Sequence, residues 1–316
     1  MDWHVKKTDY YLFFLKVTLL CILFMVMNFD KSLNADYGNY LANYEHDWWQ
    51  FELGFEFISY PFKLVGADFL TFWIFSLVLE SVLIAILFRN NMIFLFAFPN
   101  LLFISQGFLG TQIRFGIAIS LFLVIFSFYY KKKQFWFISA FSILFHNAAV
   151  VVYFLANSVR YLLNSERNIF LKKNLFWLCG FVICTVFLSL LMDYMLTSFG
   201  YDYYVGTKYQ EGKSLSSILY LCMSFCLLLF LLCRKVNKEY SEYVYLGFVL
   251  VVFSLIFSKS SIISGRFTLV YSIVEPFVLY YFYHHIGKKK YFFPIFVLYC
   301  SFCYLKLITF NPKAFL

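Results

Sequence analysis

Long apolar runs, each bounded by a short basic cluster, restrict the fold of this chain more than any other feature. Of its 316 residues, 62% are hydrophobic and only 14% are charged, whereas a soluble domain is about 25% charged. So little charge cannot cover a surface that faces water. We therefore expect an all-α polytopic membrane protein, and we exclude a soluble enzyme, a disordered tail and a disulfide-built secreted scaffold.

The basic clusters predict the topology. Lys and Arg number 26 against 17 Asp and Glu, and the cations lie in short groups between apolar runs, as in cytoplasmic loops of membrane proteins. We therefore expect a cytoplasmic N-terminus, a lipid bilayer around the chain and no nucleic-acid partner. The groups are Lys6-Lys7, Lys131-Lys132-Lys133, Lys172-Lys173, Arg234-Lys235 and Lys288-Lys289-Lys290.

The apolar runs predict about nine full spans in one integral membrane domain over residues 1–316. A helix needs about 20 residues to cross ~30 Å of hydrocarbon. Polar loops at about 30–66 and 198–213 are expected on the outer side. The predicted spans are Tyr10–Asn28, Asp68–Phe88, Met92–Gln106, Gly110–Tyr130, Asn174–Thr197, Leu215–Cys233, Val244–Ser258, Arg266–Tyr283 and Tyr291–Phe310.

One segment must be a broken helix pair. The clusters at 131–133 and 172–173 are both predicted to be cytoplasmic, so the chain between them crosses an even number of times. Gln134–Ser158 has only about 25 residues, too few for two full spans. We predict two half-length helices in a re-entrant or short hairpin, broken near Phe145-His146-Asn147, because broken helices at membrane depth line protein or a wet cavity.

Five ionisable residues are predicted to converge on the outer side. An ionisable residue in a span costs roughly 2.5–3.5 kcal/mol on insertion scales, so each needs a reason. The planar guanidinium of arginine binds phosphate through two parallel N–H donors, so these arginines suit an anionic lipid head group. Four of them also have a structural alternative, namely snorkelling to the interface for the two arginines, a tie between helices for the histidine and loop capping for the aspartate. The five are Asp36, Glu52, Arg114, His146 and Arg266.

The short motifs that bind common cofactors do not occur in the sequence. It contains no phosphate-binding loop of the G-x-x-x-x-G-K-[ST] type, no G-x-G-x-x-G and no H-E-x-x-H. No D-x-D pair offers a hard-metal site. We therefore expect no cofactor, no metal and no nucleotide-sugar chemistry.

An ordered set of short motifs resembles the EpsG family, which comprises Wzy-type polymerases of bacterial surface polysaccharides. The set covers most of the chain in the family's order and spacing. It consists of Asp36-Tyr37-x2-Tyr40-x3-Tyr44, Glu52-Leu53-Gly54-Phe55, Ile113-Arg114-Phe115-Gly116-Ile117-Ala118, Leu144-Phe145-His146-Asn147-Ala148-Ala149, and Arg266-Phe267 followed by Tyr271.

The resemblance implies a GT-C-like helical bundle in the bacterial inner membrane, active on its periplasmic face. Such enzymes move a growing glycan from undecaprenyl diphosphate onto a lipid-linked repeat unit, in O-antigen or capsule synthesis. The donor carries its own leaving group, so the protein must neutralise a diphosphate and take a proton from a sugar hydroxyl. We assign Arg114 and Arg266 to the diphosphate.

The remaining roles follow from the same chemistry. Asp36 or Glu52 is the expected base, with His146 as the competing base or a diphosphate ligand. The aromatic residues Tyr37, Tyr40 and Tyr44 are expected to pack on sugar faces. The sequence leaves open whether a chain-length regulator binds. The alternatives are a lipid-linked oligosaccharide flippase, another lipid-linked glycan transferase such as a lipid A core ligase, and a membrane O-acyltransferase.

Overall fold

The computed structural model describes residues 7–164 apart from 32, 33 and 35, then 214–233, 240–286 and isolated positions within 183–198 and 293–302. All regular secondary structure in these residues is helical. The chain divides into two compact units, one comprising Met1–Phe154 with Lys288–Leu316 and the other Leu155–Gly287. The expected single membrane domain stays a prediction.

Eleven α-helices are described, with a π-helix before α6 and a 3-10 helix after α7. In chain order they are α1 Lys7–Met27, α2 Tyr37–His46, α3 Leu53–Leu64, α4 Phe69–Leu87, α5 Asn91–Ile104, the π-helix Ser105–Gly110, α6 Ile113–Tyr129, α7 Phe135–Ala140, the 3-10 helix Phe141–Leu144, α8 Ala149–Asn164, α9 Leu215–Cys233, α10 Ser241–Ile256 and α11 Ser261–Ile286.

Four of these helices are long and apolar enough to cross a membrane, namely Asp9–Met27, Phe69–Leu87, Leu215–Leu232 and Ser261–His284. Shorter apolar helices occupy three further predicted spans, Met92–Gln106, Gly110–Tyr130 and Val244–Ser258. Most residues of the predicted spans Asn174–Thr197 and Tyr291–Phe310, and of the predicted loop 198–213, lie outside the described residues. The count of nine spans and the GT-C-like fold stay predictions.

Helices α4 and α6 run parallel through the core of the first unit. Near their C-terminal ends, the Arg89 guanidinium lies 4.9 Å from the centre of the Phe128 ring. Further toward the N-terminal side, Glu80 of α4 lies against Gly116 in the first turn of α6. Helix α1 packs beside them, and its Lys16 Nζ donates hydrogen bonds to the carbonyls of Phe88 and Arg89, 3.0 and 2.8 Å away. These cations therefore mark one polar end of the bundle.

The π-helix and two asparagines fix the start of α6. Asn28, at the end of α1, donates its amide to the Ser105 carbonyl over 3.1 Å, and Asn34 donates to the Gly110 carbonyl over 3.0 Å. A side chain at Gly110 would overlap the Asn28 amide. The chain before α6 is therefore held at both ends of the π-helix, where backbone carbonyls need outside partners.

The first predicted outer loop contains two helices that the sequence analysis did not predict. Tyr37 packs on Phe69 and Trp73 of α4, with ring centres 5.1 and 5.0 Å apart. Tyr44 stacks on Phe72 at 5.6 Å and donates its hydroxyl to the Ala67 carbonyl over 2.8 Å. Tyrosines spaced along one face of α2 therefore pack this helix against the first turns of α4.

The predicted helix break is confirmed. Helix α7 and the 3-10 helix end at Leu144, and α8 begins at Ala149, so residues 145–148 separate the two halves. Helix α8 continues to Asn164, beyond the predicted end at Ser158. Whether this pair enters the membrane as a hairpin stays a prediction.

The second unit is tied together by buried polar contacts. Tyr220 of α9 donates its hydroxyl to Glu275 of α11 over 2.9 Å. The hydroxyls of Ser254 and Thr268 lie 2.6 Å apart and join α10 to α11. Such contacts between apolar helices satisfy polar groups that water cannot reach.

Candidate active site

Arg114 and Glu52 form an ion pair at the start of α6. Nη1 of Arg114 donates to Oε2 of Glu52. Both groups are shielded, because the arginine side chain is 19% exposed and the glutamate side chain is 12% exposed. A charge-assisted bond in such a setting is stronger than one at a surface. The pair therefore fixes the guanidinium where a ligand can still reach part of it.

Two aromatic rings contact the same guanidinium. Its central carbon lies 3.9 Å from the centre of the Phe51 ring and 5.6 Å from that of Tyr40. The Nε atom of Arg114 is buried and has no hydrogen-bond partner in the described part of the chain. A flat cation stacked on a ring keeps its edge available for an anion.

Tyr40 is a buried neutral neighbour of this arginine. Its side chain is 4% exposed, and burial raises the pKa of its hydroxyl to about 12, against the opposing pull of the Arg114 charge. The negative charge of Asp36 adds to the increase in that pKa. The phenol therefore stays protonated at neutral pH and does not neutralise the arginine.

The second oxygen of Glu52 holds the break between α7 and α8. Oε1 accepts a hydrogen bond from the backbone N–H of Asn147 over 3.1 Å. It lies 3.9 Å from Nδ1 of His146. That Nδ1 accepts the backbone N–H of Ala148 over 3.0 Å, so the neutral ring carries its proton on Nε2. In this arrangement His146 offers a donor rather than a proton acceptor.

A glycine lets α3 come close enough for these contacts. A Cβ at Gly54 would lie 2.8 Å from the Leu144 carbonyl oxygen, a distance that real Cβ atoms do not adopt. The start of α3 therefore packs directly on the end of the 3-10 helix. This close approach brings Glu52 within reach of the Asn147 amide.

The buried Glu56 fixes the turn that carries Phe51 and Glu52. Its Oε1 accepts the Asn43 amide over 2.8 Å and the Phe51 backbone N–H over 3.2 Å. Lys63 lies 3.9 Å from its Oε2 and pairs with Asp47 at 2.7 Å. Neither Phe51 nor Glu56 was singled out from the sequence, because no motif marks a residue that acts by supporting a turn.

The remaining predicted site residues lie in three settings. Asp36 is half-buried at the N-cap of α2, close enough to Tyr40 to act on it electrostatically. Tyr37 and Tyr44 pack on aromatic rings of α4. Their predicted contact with sugar rings of the substrate stays a prediction. Arg266 is half-buried in the second turn of α11, in the second unit. That it completes a site with Arg114 also stays a prediction.

The described residues contain no group of three or more His, Cys, Asp or Glu side chains placed to hold a metal ion.

Comparison with known proteins identifies the family. The chain has no significant match among curated proteins and none among solved structures. The model of the EpsG family matches residues 10–316, which include the whole Arg114 site and Arg266. The chain therefore belongs to the EpsG family, whose members are Wzy-type polysaccharide polymerases.

Proposed function

We propose that this protein polymerises a bacterial O-antigen or capsular polysaccharide in the inner membrane. It transfers a growing glycan from undecaprenyl diphosphate to a sugar hydroxyl of a lipid-linked repeat unit, on the periplasmic face. The observation that carries this proposal is the Arg114 guanidinium, held by Glu52 on the Phe51 ring and still partly exposed. Family membership supplies the polymerase chemistry.

Arg114 binds the diphosphate of the donor. The bond between the anomeric carbon and the diphosphate oxygen breaks as the acceptor oxygen attacks that carbon, and its electron pair leaves on the lipid diphosphate. Negative charge then grows on the leaving group, and a fixed guanidinium stabilises it without reorganising. The Nε2–H of His146 is a second donor suited to the same anion, and Arg266 supplies further positive charge in this proposal.

Asp36 accepts the proton that the acceptor hydroxyl loses. Both Glu52 oxygens already hold partners, Arg114 on Oε2 and the Asn147 N–H on Oε1. An acceptor hydroxyl would have to displace one of them. Glu52 is therefore the positioning residue of the site, since it orients both the arginine and the His146 turn. His146 does not serve as the base while its Nδ1 accepts the Ala148 N–H.

The proposed donor needs no nucleotide, because its activating group is part of the lipid. Each transfer moves the chain from one lipid diphosphate to another and releases a free lipid diphosphate. This stoichiometry requires both substrates in one bilayer, with their sugars on the same side. A GT-C-like arrangement of helices would satisfy that requirement by placing the Arg114 site at the membrane surface.

Reconstitution of the full chain into liposomes tests the proposal. Lipid-linked repeat units should give a ladder of products, together with free undecaprenyl diphosphate, and no ATP or nucleotide sugar should be needed. A flippase would move labelled units across the bilayer without making a ladder. An acyltransferase would change the acylation of the units at constant glycan length. Either result, or the absence of a ladder with the wild-type protein, would overturn the polymerase assignment.

A further inference from the structure

Helix α3 exposes an apolar stripe that no residue in the described part of the chain covers. Leu53, Phe57 and Leu64 are 63%, 73% and 67% exposed, and Tyr60 lies between them on the same face. Residues spaced by three and four positions share one side of a helix. The opposite side, which includes Phe55, is buried in the first unit. An apolar stripe of this kind needs an apolar environment outside the chain.

The two ends of α3 lie at the N-terminal ends of two parallel helices. Glu52, just before α3, pairs with Arg114 at the start of α6. Near its other end, Phe62 packs on Phe72 and Phe75 of α4, with ring centres 5.6 and 4.8 Å apart. The helix therefore crosses from α6 to α4 at one end of the bundle.

The register between α4 and α6 shows that α3 runs more across that end than along the bundle. Glu80 lies against Gly116, so at 1.5 Å per residue Phe75 and Phe72, the two partners of Phe62, lie about 4–9 Å beyond Arg114 along the bundle. Between Glu52 and Phe62 the helix advances about 15 Å. A helix with these end points is inclined by less than half a right angle to the plane perpendicular to α4 and α6.

The height of this end matches a membrane surface. Helix α6, from Ile113 to Tyr129, is about 24 Å long, close to the ~30 Å of the hydrocarbon layer. Lys16 and Arg89 mark the opposite end. Leu70 and Ile74, at the start of the long apolar helix α4, are exposed as well. Apolar side chains are thus exposed both on α3 and on the part of α4 that α3 reaches.

Exposed tryptophans border the stripe on the side of the α2–α3 turn. Trp48 and Trp49 are both exposed, and the Trp49 ring lies 6.0 Å from that of Tyr60. Amphipathic rings of this kind are enriched where lipid head groups meet acyl chains. Asp47, next to them in the turn, pairs with Lys63 near the C-terminal end of α3.

We propose that α3 is an in-plane interfacial helix, whose Leu53–Phe57–Tyr60–Leu64 stripe inserts among the lipids of the leaflet that borders the Arg114 site. The occupant of this surface is the boundary between phospholipid head groups and acyl chains, not a protein partner. Because Glu52 is the residue before the stripe, insertion holds the Glu52–Arg114 pair at the height of lipid phosphates. The proposal does not depend on the reaction that the site catalyses.

Site-specific photo-crosslinking tests this placement in the full chain. A diazirine amino acid replaces Phe57 or Leu64 in the stripe, Ile74 of α4 as the lipid-facing control, or Glu45 of α2 as the exposed polar control. Each variant is reconstituted into phosphatidylethanolamine–phosphatidylglycerol liposomes, illuminated and analysed by mass spectrometry. Phospholipid adducts should form at Phe57 and Leu64 with yields like that at Ile74 and several-fold above that at Glu45.

Two outcomes would overturn the proposal. Water-quenched product at both stripe positions, as at Glu45, would mean that the stripe faces solvent. Cross-linked dimers at these positions would mean that a second copy of the chain covers it. Using two stripe positions keeps the result decisive if one variant fails to reconstitute. Lipid adducts with an inactive polymerisation assay would support the interfacial helix and count against the proposed function alone.

Discussion

The carboxylate of Glu52 and the guanidinium of Arg114, 62 positions apart in the sequence, form an ion pair that joins the start of α3 to the start of α6. Because the other oxygen of Glu52 accepts the Asn147 N–H, one side chain connects three separate segments of the chain. The geometry of the site therefore depends on Glu52 even if no substrate atom touches it.

Replacing Arg114 by lysine should lower polymerisation by on the order of 10²-fold or more, since an ammonium cannot present a planar fork while stacked on Phe51. The measurement is the rate of ladder formation by reconstituted protein. Arg89→Lys is the matched control, because Arg89 also lies over a phenylalanine ring but at the other end of the bundle. Arg266→Lys should resemble Arg114→Lys if both arginines bind the diphosphate. Normal ladders from both lysine variants would refute the diphosphate assignment.

The sequence could predict some of this site and not the rest, for physical reasons. The break near His146 follows from counting residues between two basic clusters, and α7, the 3-10 helix and α8 confirm it. The role of Phe51 could not be predicted, because a cation–ring contact with Arg114 depends on folding. The spacing of Tyr37, Tyr40 and Tyr44 does fit one face of a helix. Because these tyrosines lie in a polar segment rich in aromatic residues, the sequence analysis interprets them as a sugar-binding surface and predicts no helix there.

Gly116→Ala should destabilise the protein by about 1–3 kcal/mol, because a methyl group there would overlap the Glu80 carboxylate. Thermal unfolding in detergent measures the loss. Gly38→Ala in α2 is the control, since a Cβ there meets no atom within 4 Å, and it should be neutral or slightly stabilising.

A double-mutant cycle identifies the overlapping partner. Glu80→Ala removes the carboxylate, so the cost of Gly116→Ala should shrink in that background, with a coupling of about 0.5–3 kcal/mol. Strictly additive effects of the two substitutions would show that the Glu80 carboxylate does not limit the space for a side chain at position 116.

Tyr40 should make stability depend on pH in the alkaline range. Its folded-state pKa of about 12 exceeds the ordinary value of 10.0, so its contribution is complete below pH 10 and is lost as the pH rises from 10 to 12. The loss amounts to about 2–3 kcal/mol for a two-unit difference. The difference in unfolding free energy between the wild type and Tyr40→Phe should fall by that amount over this range.

A ring substitution that removes no hydroxyl serves as the control for this measurement. Phe128→Leu changes a ring at the other end of the bundle, beside Arg89, and should keep the alkaline pH dependence of the wild type. If Tyr40→Phe and Phe128→Leu show the same pH dependence, Tyr40 is not buried beside Arg114 in solution.

The last prediction separates the base from the residues that position it. Asp36→Asn keeps the shape of the side chain but removes its capacity to hold a proton, so kcat should fall on the order of 10²–10⁴-fold with little change in KM. Glu52→Gln should instead weaken donor binding as well as turnover, because an amide can accept from only one of its two present donors, Arg114 and the Asn147 N–H. His146→Gln should reduce turnover more mildly, since its amide still donates to an anion. Steady-state kinetics with lipid-linked repeat units distinguishes the three variants. If Asp36→Asn turns over normally while His146→Gln is inactive, the Nδ1 bond to Ala148 must open during catalysis, and the proton acceptor is the histidine.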